Sequence, residues 1–172
     1  MGDVKKPRKQ YSSPRRPWDK KRIVKESKIM REYGLKAKRE LWRFETIIKG
    51  KKHNARTLLA LPIETRTEKE KELFENLYNL GILDSKATLD DVLGLTLESI
   101  LERRLQTVDL RKGLAITAHQ ARQFITHGHI SVNKKKVSSP GYLVKRNEED
   151  MIEYFGQTME LGAAIVEKKE NK

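Results

Sequence analysis

The chain contains no cysteine. Disulfides, thiolate zinc sites and cysteine nucleophiles are therefore excluded. Phe, Trp and Tyr together make up only 6% of the residues, and there are five prolines. No run of about 18 apolar residues exists, so no membrane-spanning helix is expected. The N-terminus is charged from Asp3 onward and lacks an apolar stretch, so no signal peptide is expected. A glycine-rich phosphate loop, HExxH and GxSxG are all missing. The acids at 64–75 fall in what reads as a capped, solvated helix. The chain thus reads as a non-enzyme with no cofactor, and the cytosol is the expected compartment.

What the sequence has in excess is positive charge. Formal net charge is +13 over 172 residues, with a pI near 9.9. That length suits one ordinary domain or two small ones. A chain this basic answers to a polyanion, either nucleic acid or an anionic membrane. Membrane adsorption needs a strong apolar face or a lipidation signal, and neither is found. The charge is also uneven. Residues 1–56 hold 20 Lys/Arg against 6 Asp/Glu, residues 57–100 hold 4 against 9, and residues 101–172 hold 13 against 9. The acidic middle is expected to pack on the chain itself or to face another protein, since RNA would repel it.

Residues 1–18, MGDVKKPRKQYSSPRRPW, are almost free of aliphatic side chains. They cannot bury enough surface to offset ordering entropy, and read as a basic extension that orders on a partner. Asp19 caps a first helix carrying Ile23, Val24, Met30 and Tyr33, stopped by Gly34. A second helix is expected from about Lys36 to Lys49, with Gly50 after it, and a third over His53–Leu61, stopped by Pro62. Thr67–Glu70 (TEKE) looks like a capping box. Its helix carries Leu73, Phe74, Leu77 and Leu80 and ends at Gly81. Thr88 caps a short helix ending at Gly94.

From Thr96 the pattern changes. TLESILERRLQTV reads as one helix closed at Gly113, and TAHQ (117–120) as a second capping box opening a helix that stops at Gly128. Strand-like pieces follow: HISV, KKVSS, YLV and MIEYF. The expected organisation is a basic extension (1–18), a helical domain (19–95), a compact α+β module (96–157) and a tail (158–172) that is a short helix or disordered. The fold class is mainly α, with a small α+β module of two helices and a β-hairpin.

Several groups of residues invite a chemical reading. His127 and His129 flank Gly128, and His119 lies two turns back. Zinc requires three or four ligands with supporting partners, yet no carboxylate lies between Asp109 and Glu148. Polar surface histidines are the preferred reading, and no metal is expected. On the helix after Thr117, residues His119, Arg122, Gln123 and Thr126 share one face. That face carries donors and no acid, which suits RNA. Lys134, Lys135 and Lys136 sit at a hairpin tip, where lysines also serve as edge guards. Beside Arg103, Arg104, Arg111 and Lys112 they become a patch. In the extension and the first helix, Arg8, Lys9, Arg15, Arg16, Lys20, Lys21 and Arg22 interleave with Tyr11 and Trp18: cations for phosphates and rings for bases. Lys36, Lys38, Arg39, Arg43, Lys51, Lys52 and Arg56 continue the basic surface.

Residues 98–154, which include ESILERRLQTVDLRKGLAITAHQARQFITHGHISVNKKKVSSPGYLV, closely resemble the RNA-binding domain named after small-subunit ribosomal protein S-four. PRRPWDKKRI, EYGLKAKRELWR and ARTLLAL resemble the archaeal and eukaryotic form of that ribosomal family, and HGHISVN with SPGYLV are closer to the archaeal form. The resemblance covers most of residues 1–155. It implies a primary binder of small-subunit ribosomal RNA, placed early in assembly at a multi-helix junction of the 5′ domain and near the channel through which mRNA enters. It also implies RNA-facing positions at Arg103, Arg104, Arg111, Lys112, His119, Arg122, Gln123, His127, His129, Asn133, Lys134 and Tyr142. Two positions depart from the family pattern. Lys134 stands where glycine often follows the hairpin Asn, and Asp109 adds an acid to the expected RNA face. A free-standing RNA modification or stress factor built on the same module is the alternative. A DNA-binding helix-turn-helix regulator would need a dimer interface, and none is evident.

Overall fold

Helix-forming sequence dominates from Lys20 onward, and the computed structural model, which describes residues 9–156, follows it. Arg8 and the tail expected at 158–172 lie outside the described residues. The helices are α1 (Lys20–Glu32), α2 (Lys38–Leu59), α3 (Ile63–Asn79), α4 (Leu89–Gly94), α5 (Leu97–Leu101), α6 (Leu105–Arg111) and α7 (Ala118–His127). Strands β1 (Ile130–Val132), β2 (Lys135–Lys136) and β3 (Ile152–Tyr154) form one antiparallel sheet in the order β2-β1-β3, with a 3-10 helix at Arg146–Met151. None of the described helices is long and apolar enough to cross a membrane.

Local signals that needed only neighbouring residues hold. The Asp19 carboxylate accepts from Lys21 N at 3.1 Å, and α1 gives way to Gly34 at φ +60°. The Thr117 hydroxyl accepts from Gln120 N at 3.2 Å, although Gln120 Oε1 accepts from Ile116 N at 2.9 Å rather than from Thr117 N, so the capping box is not completed. Gly128 closes α7 at φ +76°.

Signals overridden by distant contacts fail. Gly50 does not end a helix: α2 is continuous over 22 residues. Leu41, Phe44, Ile48, Ala55 and Leu58 are all buried on it, and that packing outweighs the roughly 1 kcal/mol a mid-helix glycine costs. α3 starts after Pro62, which caps it in an extended conformation. Thr67 therefore lies inside the helix, and its hydroxyl donates to Glu64 O at 3.2 Å. TLESILERRLQTV is two helices. Arg104 is extended at φ −70°, ψ 140°, because the backbone there binds another segment. Leu105 N donates to Tyr142 O at 2.8 Å and Val144 N to Arg103 O at 2.9 Å. YLV thus makes only a bridge, Arg104 to Leu143, and the third strand of the sheet is β3.

Two apolar clusters result. The larger joins Leu41, Phe44, Leu58, Leu77, Val92 and Leu101 among others, and the smaller holds Leu105, Val108, Ile125, Ile130, Val144 and Ile152. Buried Gln106 ties them together. Its Nε2 donates to Gly34 O at 3.0 Å and Ala118 O at 2.8 Å. A Cβ on Gly34 would lie 2.7 Å from that of Ala118, so α1 and α7 meet this closely only because residue 34 is glycine.

Residues 9–18, expected to order on a partner, also make contacts within the chain. The Tyr11 ring lies 6.0 Å from that of Trp42, and Ser12 N donates to Thr46 Oγ1 at 3.0 Å. Arg15, Arg16 and Trp18 remain exposed, Trp18 at 75%.

The hairpin turn has two residues, Asn133 and Lys134, at φ 52° and 61°. Positive φ at both centres is the geometry in which glycine normally follows asparagine. Lys134 therefore holds a left-handed backbone that costs a side-chain-bearing residue about 1–2 kcal/mol. Lys134→Gly is expected to raise stability by up to about 1 kcal/mol after the entropy of the freer unfolded glycine is subtracted. A urea titration of both proteins checks it; equal or lower stability would remove strain from this turn.

Candidate nucleic-acid interface

The basic residues divide into those held by internal acids and those left to solvent. Glu40, in the first turn of α2, organises the first group. Its carboxylate accepts from Arg104 Nη2 at 3.1 Å and from Arg122 Nη1 and Nη2 at 3.1 and 2.8 Å. Arg104 is 0% exposed. Its guanidinium lies 5.3 Å over the Phe44 ring, and its Nε and Nη1 have no hydrogen-bond partner. Burial pushes its pKa down to about 10, against the pull of Glu40.

Three cations expected at the RNA surface are therefore engaged inside. Arg104 is buried, which corrects its expected exposure. The helix break between α5 and α6 turns it toward α2. The Arg122 side chain is 21% exposed and held by Glu40 at both terminal nitrogens. Arg103 Nη1 pairs with Glu149 at 2.8 Å while Nη2 donates to Val144 O. Its guanidinium packs where a Cβ on Gly81 would sit.

Glu26, which unlike half-buried Glu40 is buried, is a second centre. It takes Arg22, Trp42 Nε1 at 3.1 Å and Lys38 at 3.3 Å. Arg22 further donates to the carbonyls of Arg16 and Pro17 at 3.1 Å, which holds the extension to α1. Tyr142 is half-buried and donates to Glu148 Oε2 at 2.9 Å, and burial raises its pKa. Arg111 pairs with Glu102 at 2.8 Å but stays exposed.

The second group forms no ion pair with the described residues. It contains Lys9, Arg15, Arg16, Lys20 and Lys21 near the N-terminus, Lys36, Arg39, Arg43, Lys51, Lys52 and Arg56 on and before α2, and Lys112, Lys134, Lys135 and Lys136 in the module. His119, Gln123 and His127 are exposed on or at the end of α7, and Asn133 is exposed in the turn. Lys136 folds its aliphatic chain over Gly128, where a Cβ would meet its Cε at 1.8 Å. The His127 and His129 rings stack 6.1 Å apart, and His129 lies edge-on to Phe124 at 6.2 Å. Among the described residues, no group of three or more His, Asp or Glu is placed to hold a metal.

Asp109 departs from the surface reading. It is 1% exposed, and neither carboxylate oxygen has a hydrogen-bond partner. Burial raises its pKa to about 7, with Lys112 opposing.

A chain with this arrangement has relatives. Residues 5–102 match the family model for the ribosomal protein S4/S9 N-terminal domain, and residues 103–150 match the S4 domain. The chain belongs to the ribosomal S4 family. It is 54% identical over 154 residues to small ribosomal subunit protein uS4 of Ignicoccus hospitalis, covering 90% of this chain and 93% of that relative. It is similarly 54% identical to uS4 of Hyperthermus butylicus over 90% and 88%, and 53% identical to that of Metallosphaera sedula over 90% and 87%. The expected family, its archaeal likeness and the mainly helical fold with a small α+β module are all borne out.

Sequence reasoning missed the acids. Glu26 and Glu40 are isolated carboxylates in strongly basic helices, and that isolation was the available signal.

Glu40→Ala leaves a buried guanidinium unpaired and is expected to destabilise by about 3–5 kcal/mol. Glu45→Ala, which loses only an exposed pair with Lys49, should cost about 0–1 kcal/mol. Guanidinium titrations of the two variants test the contrast, and similar losses would refute it. For Asp109, a raised folded pKa means the native state binds a proton that the unfolded chain releases near pH 4. Its contribution therefore favours folding at low pH and is lost as pH rises to about 7. Asp109→Asn removes this dependence. Its stability relative to the parent should rise by about 2–3 kcal/mol between pH 5 and pH 8; a constant difference would show Asp109 ionising normally.

Proposed function

We propose that this chain is a non-enzymatic structural constituent of the small ribosomal subunit that binds the subunit's ribosomal RNA. The observation that carries this reading is the division of its cations. Internal acids neutralise those in the packed interior, while the unpaired ones lie exposed on the extension, α1, α2, α6–α7 and the hairpin. Exposed Lys and Arg release counterions from phosphates, and the α7 face with the hairpin fits a folded RNA by shape. Trp18, with its ring in solvent, suits stacking on a base.

The family resemblance extends the proposal. The chain acts early, nucleating the 5′ domain, and lies near the channel through which mRNA enters, where it affects translational accuracy. It is present at one copy per subunit, beside neighbouring ribosomal proteins, in the cytoplasmic ribosome. The exposed acids of α3 that do not line its cleft with α2 face a protein neighbour or solvent. Within the module, Lys112, Lys134, Lys135, His119 and Gln123 take the role that Arg103, Arg104 and Arg122 would have had.

Binding of the full chain to small-subunit ribosomal RNA at several salt concentrations tests this. Lys112→Gln with Lys134→Gln and Lys135→Gln is expected to weaken binding at low salt. It should also flatten the dependence of log affinity on log salt by about 0.7–0.9 for each phosphate that is no longer neutralised. An unchanged slope would remove these lysines from the interface. Sedimentation separates the alternative: a free-standing RNA-binding factor stays out of the small-subunit fraction at moderate salt.

A further inference from the structure

Gly50 has no explanation within the chain. Gly34, Gly81 and Gly128 each have positive φ and a neighbour within 3 Å of a would-be Cβ. Gly50 has neither: it is exposed inside α2, and a Cβ there would meet nothing within 4 Å. Alanine would make the same helix more stable. What glycine alone provides at this position is bare backbone facing outward, so that something external can come close. Lys49, Lys51 and Lys52 surround it in sequence.

Two clefts border α2 at this level. One, of about 510 Å³, lies between α2 and α3, with Lys51, Asn54, Lys69 and Asn76 at its rim over Leu58 and Leu73. The other, of about 590 Å³, lies between α2 and residues 95–97, with Lys49, Lys52 and Arg56 over Ile48, Leu95 and Leu97. At about 100° per residue, the α2 positions lining the two clefts fall on nearly opposite sides of the helix. Gly50 falls on the side of the α2–α3 cleft, in line with Asn54 and Thr57 and about one turn before Asn54. Glu45, which pairs with Lys49, and Glu72 are the acids lining them.

We propose that the second half of α2 is a wedge between two stretches of RNA backbone, one in each cationic cleft, with the nearer sugar–phosphate chain packed against the helix at Gly50. The inference rests on the RNA reading above and deepens it. Lysine rims serve phosphates as point charges, and a side chain at residue 50 would hold the RNA away from the rim of the α2–α3 cleft, at Lys51 and Lys69.

The absence of cysteine makes the test direct. Lys52→Cys and Lys69→Cys, each carrying a tethered iron chelate, are bound as full chains to small-subunit ribosomal RNA, and the cleavage sites are mapped. Two separate sets of cuts are expected; a single shared set would overturn the wedge. Gly50→Ala is expected to raise the melting temperature by about 2–4 °C without tightening RNA binding. Gly50→Gln should weaken binding about tenfold or more, a loss of roughly 1.4 kcal/mol. Thr67→Gln, on the exposed outer side of α3, should leave affinity unchanged. Parental affinity in Gly50→Gln overturns the inference while the RNA-binding reading stands. Failure of the parent chain to bind the RNA overturns both. Loss of a ribosomal protein neighbour at unchanged RNA affinity reassigns the surface to protein.

Discussion

The carboxylate of Glu40 is the constraint on which the relation between the two apolar clusters depends. It stands at the start of α2 and holds Arg104 and Arg122, from separate elements of the module. Arg104 contributes no other hydrogen bond from its guanidinium, so the whole stabilisation of a buried cation falls on one acid and the Phe44 ring. The arrangement goes with the helix break before Leu105, where Arg104 is extended and its side chain buried. That break is held by Tyr142 and Val144, which lead into the 3-10 helix and β3. One ion triad, one interrupted helix and one returning segment are thus mutually dependent.

Gln106 and Glu26 extend the same logic. Gln106 reads two backbone carbonyls across the junction, and the closeness it needs is available because Gly34 has no side chain. Glu26 gathers Arg22, Lys38 and Trp42, and Trp42 in turn supports Tyr11 of the extension. Each centre fixes basic elements relative to one another, so that the exposed cations are presented from rigid helices.

Legibility in the sequence followed the range of the interactions. Asp19, Thr117 and Gly128 act on residues a few positions away, and their roles could be read directly. The strand-like pieces HISV and MIEYF became strands β1 and β3. Gly50 and Thr67–Glu70 gave local stop and start signals that burial of Ile48, Ala55 and Leu58 and the turn at Pro62 overrode. Arg103, Arg104 and Arg122 could not be separated from exposed cations by composition. Their acids lie 46, 64 and 82 residues away in sequence. Family likeness identified the module, but not which of its arginines hold it together.

The acids also shape the field outside the protein. A chain of net charge +13 repels itself, and Arg122 itself disfavours charge on its neighbour Arg104. Two guanidiniums can share that interior only with Glu40 between them. Neutralising the inner cations while leaving the outer ones unpaired moves the positive potential to the surface, where phosphates approach. Replacing the inner acids would therefore do more than loosen packing: it would place repulsion at the junction that holds the binding elements in register. On this argument Glu26, which is buried, and Glu40, which is half-buried, hold together the elements that carry the exposed cations.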